Sequence, residues 1–114
     1  MRPFLFRCGI AATSAVMLMS AGPLQASTSG SGSISNVIVV TGKVFFNLSG
    51  TRDTRPACAT VPERWAFDAT TPAGQALMAA LLTFEARGKQ ISVIGTGTCP
   101  DWSDTESALY ILEQ

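Results

Sequence analysis

A largely apolar run from Cys8 to Ala21 follows two arginines, Arg2 and Arg7; Gly22-Pro23 breaks it, and Leu24-Gln25-Ala26 puts a small residue just before Ser27. This is the layout of an export signal cut after Ala26. The run is shorter than the roughly 20 residues a hydrocarbon core requires, so a retained anchor is the weaker reading. Cys8 stands at the upstream edge of the run, whereas a lipidation cysteine would stand at its downstream edge. Residues 1–26 are therefore expected to be a signal peptide, and the protein to be secreted or periplasmic with no membrane attachment after cleavage. The fold must then be built from about 88 residues, few enough that a hydrophobic core alone gives modest stability.

Loss of Cys8 with the signal leaves Cys58 and Cys99. An even count in an oxidising compartment admits a single pairing, so a Cys58–Cys99 disulfide is expected, with two buried free thiols as the alternative. In the chain-entropy account, closing a loop of this length contributes on the order of 4 kcal/mol. Six Lys and Arg then face eight Asp and Glu without a basic block. Nucleic acid, bound by clustered cations that neutralise phosphates, is not an expected partner.

Residues 27–33 are only Ser, Thr and Gly; such a segment buries little and reads as a flexible leader to a single domain spanning 34–114. Asn36–Val40 and Lys43–Leu48 are β-branched and aromatic runs separated by Thr41-Gly42, the spacing of a two-residue hairpin. Ser49–Pro62 lacks an apolar period and reads as a connection. Arg64–Asp68 alternates, with Trp65 and Phe67 on one face.

A helix follows. Thr71 suits its cap, Pro72 its first position and Gly88 its end. Ala73, Ala76, Leu77, Ala80, Leu81 and Phe84 form the expected core stripe. Gln90–Ile94 and Ala108–Leu112 complete the strands, with a turn-rich loop between them. The order β-β-β-α-β-β predicts a mostly β domain with one helix, an OB-fold-like five-stranded small barrel; an open α+β sheet is the alternative.

The stretch Cys58, Trp65, Ala73-Gly74-Gln75-Ala76-Leu77, Gly88-Lys89-Gln90-Ile91-Ser92-Val93 and Cys99 resembles the B subunits of AB5 toxins of the subtilase-cytotoxin and pertussis-like kind. That resemblance implies a secreted, disulfide-bonded OB-fold that assembles as a pentamer and binds cell-surface glycans. It carries no glycan-contact residue onto this chain. Arg64-Trp65-Ala66-Phe67-Asp68 and Gly95-Thr96-Gly97-Thr98-Cys99 also resemble features of small exported proteobacterial proteins of unknown role.

Catalysis finds little support in the residues. The chain has no histidine, the usual proton carrier near neutral pH. Gly95-Thr96-Gly97 opens like a dinucleotide fingerprint, but Pro100 stands where the third glycine belongs and no helix follows. The acidic loop Asp101–Glu106 lacks the ligand alternation and central glycine of a calcium-binding hand. No catalytic residue, metal or cofactor is expected.

Trp102 occupies the loop between the last two strands, where OB-folds commonly bind oligosaccharides. An exposed indole between Asp101 and Asp104 is suited to stack on a sugar while the carboxylates accept its hydroxyls; the alternative is a ring folded back over the end of the barrel. The helix carries no charge from Ala69 to Phe84, and Met78 and Leu82 fall on the side away from the expected core stripe. Either a second subunit or the Ser49–Pro62 connection is expected to cover that side. The leading expectation is a non-enzymatic, self-associating module that binds glycan. The alternative is a monomeric envelope protein or inhibitor with a protein partner.

Overall fold

A computed structural model describes residues 26–114. Apart from Ala26, the expected signal peptide lies outside the described residues. Five strands and one helix follow in the order β1 (Gly32–Val40), β2 (Lys43–Leu48), β3 (Arg64–Asp68), α1 (Pro72–Ala86), β4 (Gln90–Gly95) and β5 (Ala108–Glu113). They form one antiparallel sheet ordered β3-β2-β1-β4-β5.

The β1–β2 hairpin turns on Thr41 and Gly42, whose φ angles are 47° and 80°. Two left-handed residues in succession make the turn whose twist matches that of the flanking strands. Val40 pairs with Lys43 beside it. Alternation then sorts the side chains. Val44, Phe46 and Leu48 of β2, Trp65 and Phe67 of β3, and Ile91 and Val93 of β4 point into one buried cluster with Leu81 and Ala108.

β1 is shared between the two halves of the sheet. Gly32 and Ser33 pair with Ile91 and Gln90 of β4, whereas Ile34 to Val40 pair with β2. The β2 register shifts between Ser35 and Ile38, where Asn36 has φ 49°. This bulge bends the strand away from β4.

The segment expected to be a flexible leader is instead built into the sheet. Ser27 and Ser29 are buried. Gly95 N–H donates to Ser27 C=O (2.8 Å), Ser29 N–H to Val93 C=O (2.9 Å) and Val93 N–H to the Ser29 hydroxyl (2.7 Å). Residues 27–33 bury no apolar side chain, as their composition requires, but their backbone groups and hydroxyls satisfy the edge of β4.

The helix begins and ends as its sequence predicts. Thr71 accepts the Gly74 N–H (3.0 Å), Pro72 opens the first turn, and Gly88 follows the Arg87 cap at φ 65°. Its buried face is rotated from the expected stripe. Gly74 and Leu81 are buried, Leu77, Met78 and Phe84 pack against the core, and Ala73 and Ala76 are exposed. Gly74 sets this rotation: a Cβ there would lie 1.7 Å from the Asp68 carbonyl oxygen, so only glycine lets the helix lie this close to the end of β3. Met78 is therefore a core neighbour, not part of a free outer face. Leu82 remains exposed together with Ala79 and Ala86. The helix packs on β5 and β1, and the exposure of Ala79, Leu82 and Ala86 means that the Ser49–Pro62 connection does not cover its outer side.

The sheet is not closed. Its edge strands meet at an isolated parallel bridge between Ala66 and Ser107, where Ala66 N–H donates to the Glu106 carbonyl (3.1 Å). Among the described residues, no helix is long and apolar enough to cross a membrane.

Candidate functional site

The loop from Thr96 to Ser107 crosses the outward face of β2 and β3, opposite the core. On that face alternation places Lys43 and Phe45 of β2 and Arg64 of β3. Each receives one of the three residues singled out from the loop's sequence. Asp101 approaches the Lys43 ammonium at 3.5 Å, Trp102 packs edge-on against Phe45 with ring centroids 4.9 Å apart, and Asp104 pairs with the Arg64 guanidinium at 2.6 Å.

Trp102 is thus neither free nor buried. It is 39% exposed, with one edge fixed by Phe45, and its carbonyl accepts the Thr105 N–H (3.2 Å) in a tight turn. Beside it opens a cleft of about 210 Å³ lined by Ile38, Val40, Phe45, Arg64 and Trp102. The walls are apolar except for Arg64.

The two carboxylates differ in what they can still accept. Asp101 is occupied on both oxygens, by Lys43 and by the Ser107 hydroxyl (2.6 Å). The hydrogen bonds to Asp104, from Arg64 and the Thr105 hydroxyl (2.9 Å), run to Oδ1, and among the described residues none is made to Oδ2. The Thr105 hydroxyl, followed by Arg64, lowers the Asp104 pKa. Lys43 is itself held mainly by Asp68 (2.7 Å), which raises its pKa. The Lys43 hydrogen bond, reinforced by the Thr70 hydroxyl and N–H, depresses the Asp68 carboxyl to about 2.

No family model, curated protein or solved structure matches the chain.

Cys58 and Cys99 form the expected disulfide, with Cα atoms 6.3 Å apart. It ties the Ser49–Pro62 connection to the start of the loop, three residues before Trp102. Thr60 N–H adds a hydrogen bond to the Asp104 carbonyl (3.1 Å).

The far end of the loop is anchored by a buried pair that the sequence did not signal. Arg52 donates through Nη2 to Glu106 Oε2 and to the Ser27 hydroxyl (3.1 Å), and through Nη1 to the Pro62 carbonyl (2.9 Å). The Ser27 hydroxyl also donates to Glu106 Oε2, and Gly97 N–H donates to Oε1 (2.8 Å). The Glu106 side chain is fully buried and that of Arg52 is 5% exposed. Burial lowers the Arg52 pKa, and Glu106 opposes that shift. Arg52 Nε is buried without a hydrogen-bond partner among the described residues. Because Ser27, Arg52 and Glu106 lie 25 to 79 residues apart, no local pattern marks them.

A second cleft, of about 290 Å³, lies between the start of α1 and β5, with Phe67, Leu77 and Leu109 in its walls. Asp68 and Asp101 also border it, but both are already engaged by Lys43 and by neighbouring hydroxyls. It therefore offers few polar groups to orient a ligand. Among the described residues, no group of three His, Cys, Asp or Glu is placed to hold a metal ion. At Trp102 the arrangement presents an aromatic surface next to the Asp104 carboxylate and the Arg64 guanidinium.

Proposed function

We propose that this is an exported, non-enzymatic binding module with a ligand surface at the Trp102 cleft, and that the ligand is a glycan. The observation that carries the reading is the half-exposed indole of Trp102, held edge-on by Phe45 at the mouth of a cleft. A ring fixed in advance loses little freedom when a sugar stacks on it. Asp104 Oδ2 and the Ser103 hydroxyl lie next to it in sequence as acceptors for sugar hydroxyls.

The architecture that supports this reading is an OB-fold-like small barrel, left open along the β3–β5 seam. A bent first strand shared by β2 and β4, with a helix between β3 and β4, favours it. The disulfide favours export to an oxidising compartment. Self-association through the exposed Leu82 side of α1 belongs to the same proposal.

A protein ligand at the same loop is the second reading. It is favoured by Ile38 and Val40, which extend the cleft wall as exposed aliphatic surface. A glycan array separates the two. The wild-type chain is expected to bind and Trp102→Ala to lose binding, whereas unchanged binding by the variant would remove Trp102 from the site.

A further inference from the structure

The disulfide sits where it governs the Trp102 loop more than the sheet. The apolar side chains of the buried cluster and those packed on it come from the strands, the helix and Ala69, whereas 49–62 reaches it through Arg52 over the Trp65 ring and 96–107 adds no apolar side chain to it. Both cysteines are only half-buried, so a thiol reaches them without unfolding the core. With the disulfide open, the tip of the loop is held by the Lys43–Asp101 and Arg64–Asp104 ion pairs, by Arg64 Nε donating to the Thr105 hydroxyl (2.9 Å), by Thr60 N–H donating to the Asp104 carbonyl (3.1 Å) and by the edge of one ring on Phe45. These ion pairs are partly exposed, and each adds a modest amount. The buried Arg52–Glu106 pair fixes the other end of the loop, four residues beyond Trp102, and keeps that end in place.

We infer that the Cys58–Cys99 disulfide is a redox-sensitive latch on the Trp102 cleft, closed when oxidised and released by a dithiol reductant while the sheet persists. In the releasing step the dithiol gives two electrons to the S–S bond. Its two protons end on the Cys58 and Cys99 thiols, and the reductant becomes a cyclic disulfide. The regulatory meaning of the latch rests on the reading of the cleft as the ligand surface; the structural event does not.

The described residues hold two tryptophans, Trp65 in the core and Trp102 on the loop, so one spectrum reports both regions. Indole N–H signals of the oxidised protein are followed during titration with dithiothreitol, thiol release being counted in parallel, and compared with the Cys58→Ser, Cys99→Ser double variant. The latch predicts that the Trp102 signal moves to the position of a solvated indole and loses its contacts to Phe45, while Trp65 and the strand amides stay unchanged. A Trp102 signal unmoved after full thiol release overturns the latch. Simultaneous collapse of both signals also overturns it, because the disulfide would then hold the whole fold. Since no ligand enters the measurement, a failed glycan array leaves this result standing.

Discussion

The Arg52 guanidinium lies over the face of the Trp65 indole, its central carbon 3.9 Å from the ring centroid. The ring's negative face and the Glu106 carboxylate thus meet one cation from two directions. Three separated segments converge on it: the stretch before β1 through Ser27, the connection through Arg52 itself and the Thr96–Ser107 loop through Glu106.

Removing one member of this pair strands the other charge inside. Glu106→Gln or Arg52→Met is expected to lose about 3–5 kcal/mol of unfolding free energy, as read by urea titration. The Glu106→Gln, Arg52→Met double variant is expected to lose less than the sum of the two single losses. Equal, additive losses in the cycle would mean that the two side chains do not interact.

Gly95 is closed to any side chain. A Cβ there would lie 2.0 Å from Glu106 Oε1 and 2.7 Å from Trp65 Cζ3, so Gly95→Ala must push the carboxylate off Arg52 or the indole out of the core. It is expected to lower the thermal midpoint clearly, and a midpoint within a degree of wild type would contradict the packing described.

The helix gives a paired test. Leu81 is fully buried and Leu82 is 44% exposed. Leu81→Ala is expected to cost about 2–5 kcal/mol, and Leu82→Ala under about 0.5 kcal/mol. If the protein self-associates through this side, Leu82→Glu will dissociate it with little change in stability, as sedimentation velocity can show. Met78→Glu would mislead, because Met78 packs on the core.

At the hairpin, Thr41 holds φ 47°, a conformation costly for a β-branched residue and readily adopted by asparagine. Thr41→Asn is expected to add about 1 kcal/mol, checked by the same urea titration.

Acid should weaken the Lys43–Asp68 contact in a defined window. The Asp68 carboxyl titrates near 2 against an ordinary 3.8. Its contribution is complete above about pH 4 and disappears as the pH falls toward 2. Lys43 is shifted upward, so its share persists through neutral pH and is lost only in strong alkali. Asp68→Asn should flatten the stability profile between pH 4 and 2, and an unchanged slope would assign the acid response elsewhere.

What the sequence revealed follows the range of the interactions involved. β2, β3 and the limits of α1 were legible because alternation, the Thr71-Pro72 start and the Gly88 stop are local signals. The Cys58–Cys99 bond was legible because only one pairing remained. The face of α1 was misjudged because hydrophobicity alone does not reveal that Gly74 must meet the Asp68 carbonyl. Ser27 and Ser29 were misjudged because a strand held by backbone and hydroxyl hydrogen bonds has no apolar period to detect. At the loop, Asp101, Trp102 and Asp104 stood out by residue type. Their seats on Lys43, Phe45 and Arg64 were not legible, since those belong to the outward face of strands far along the chain.

The burial of Ser27 has a practical corollary for anyone producing this protein. A recombinant fragment trimmed to start at Ile34, where composition places the domain boundary, would strip the rim of β4 of its hydrogen-bonding neighbour and deprive Arg52 and Glu106 of a shared hydroxyl. Such a fragment should be prone to edge-to-edge stacking, while one starting at Ser27 keeps the margin sealed.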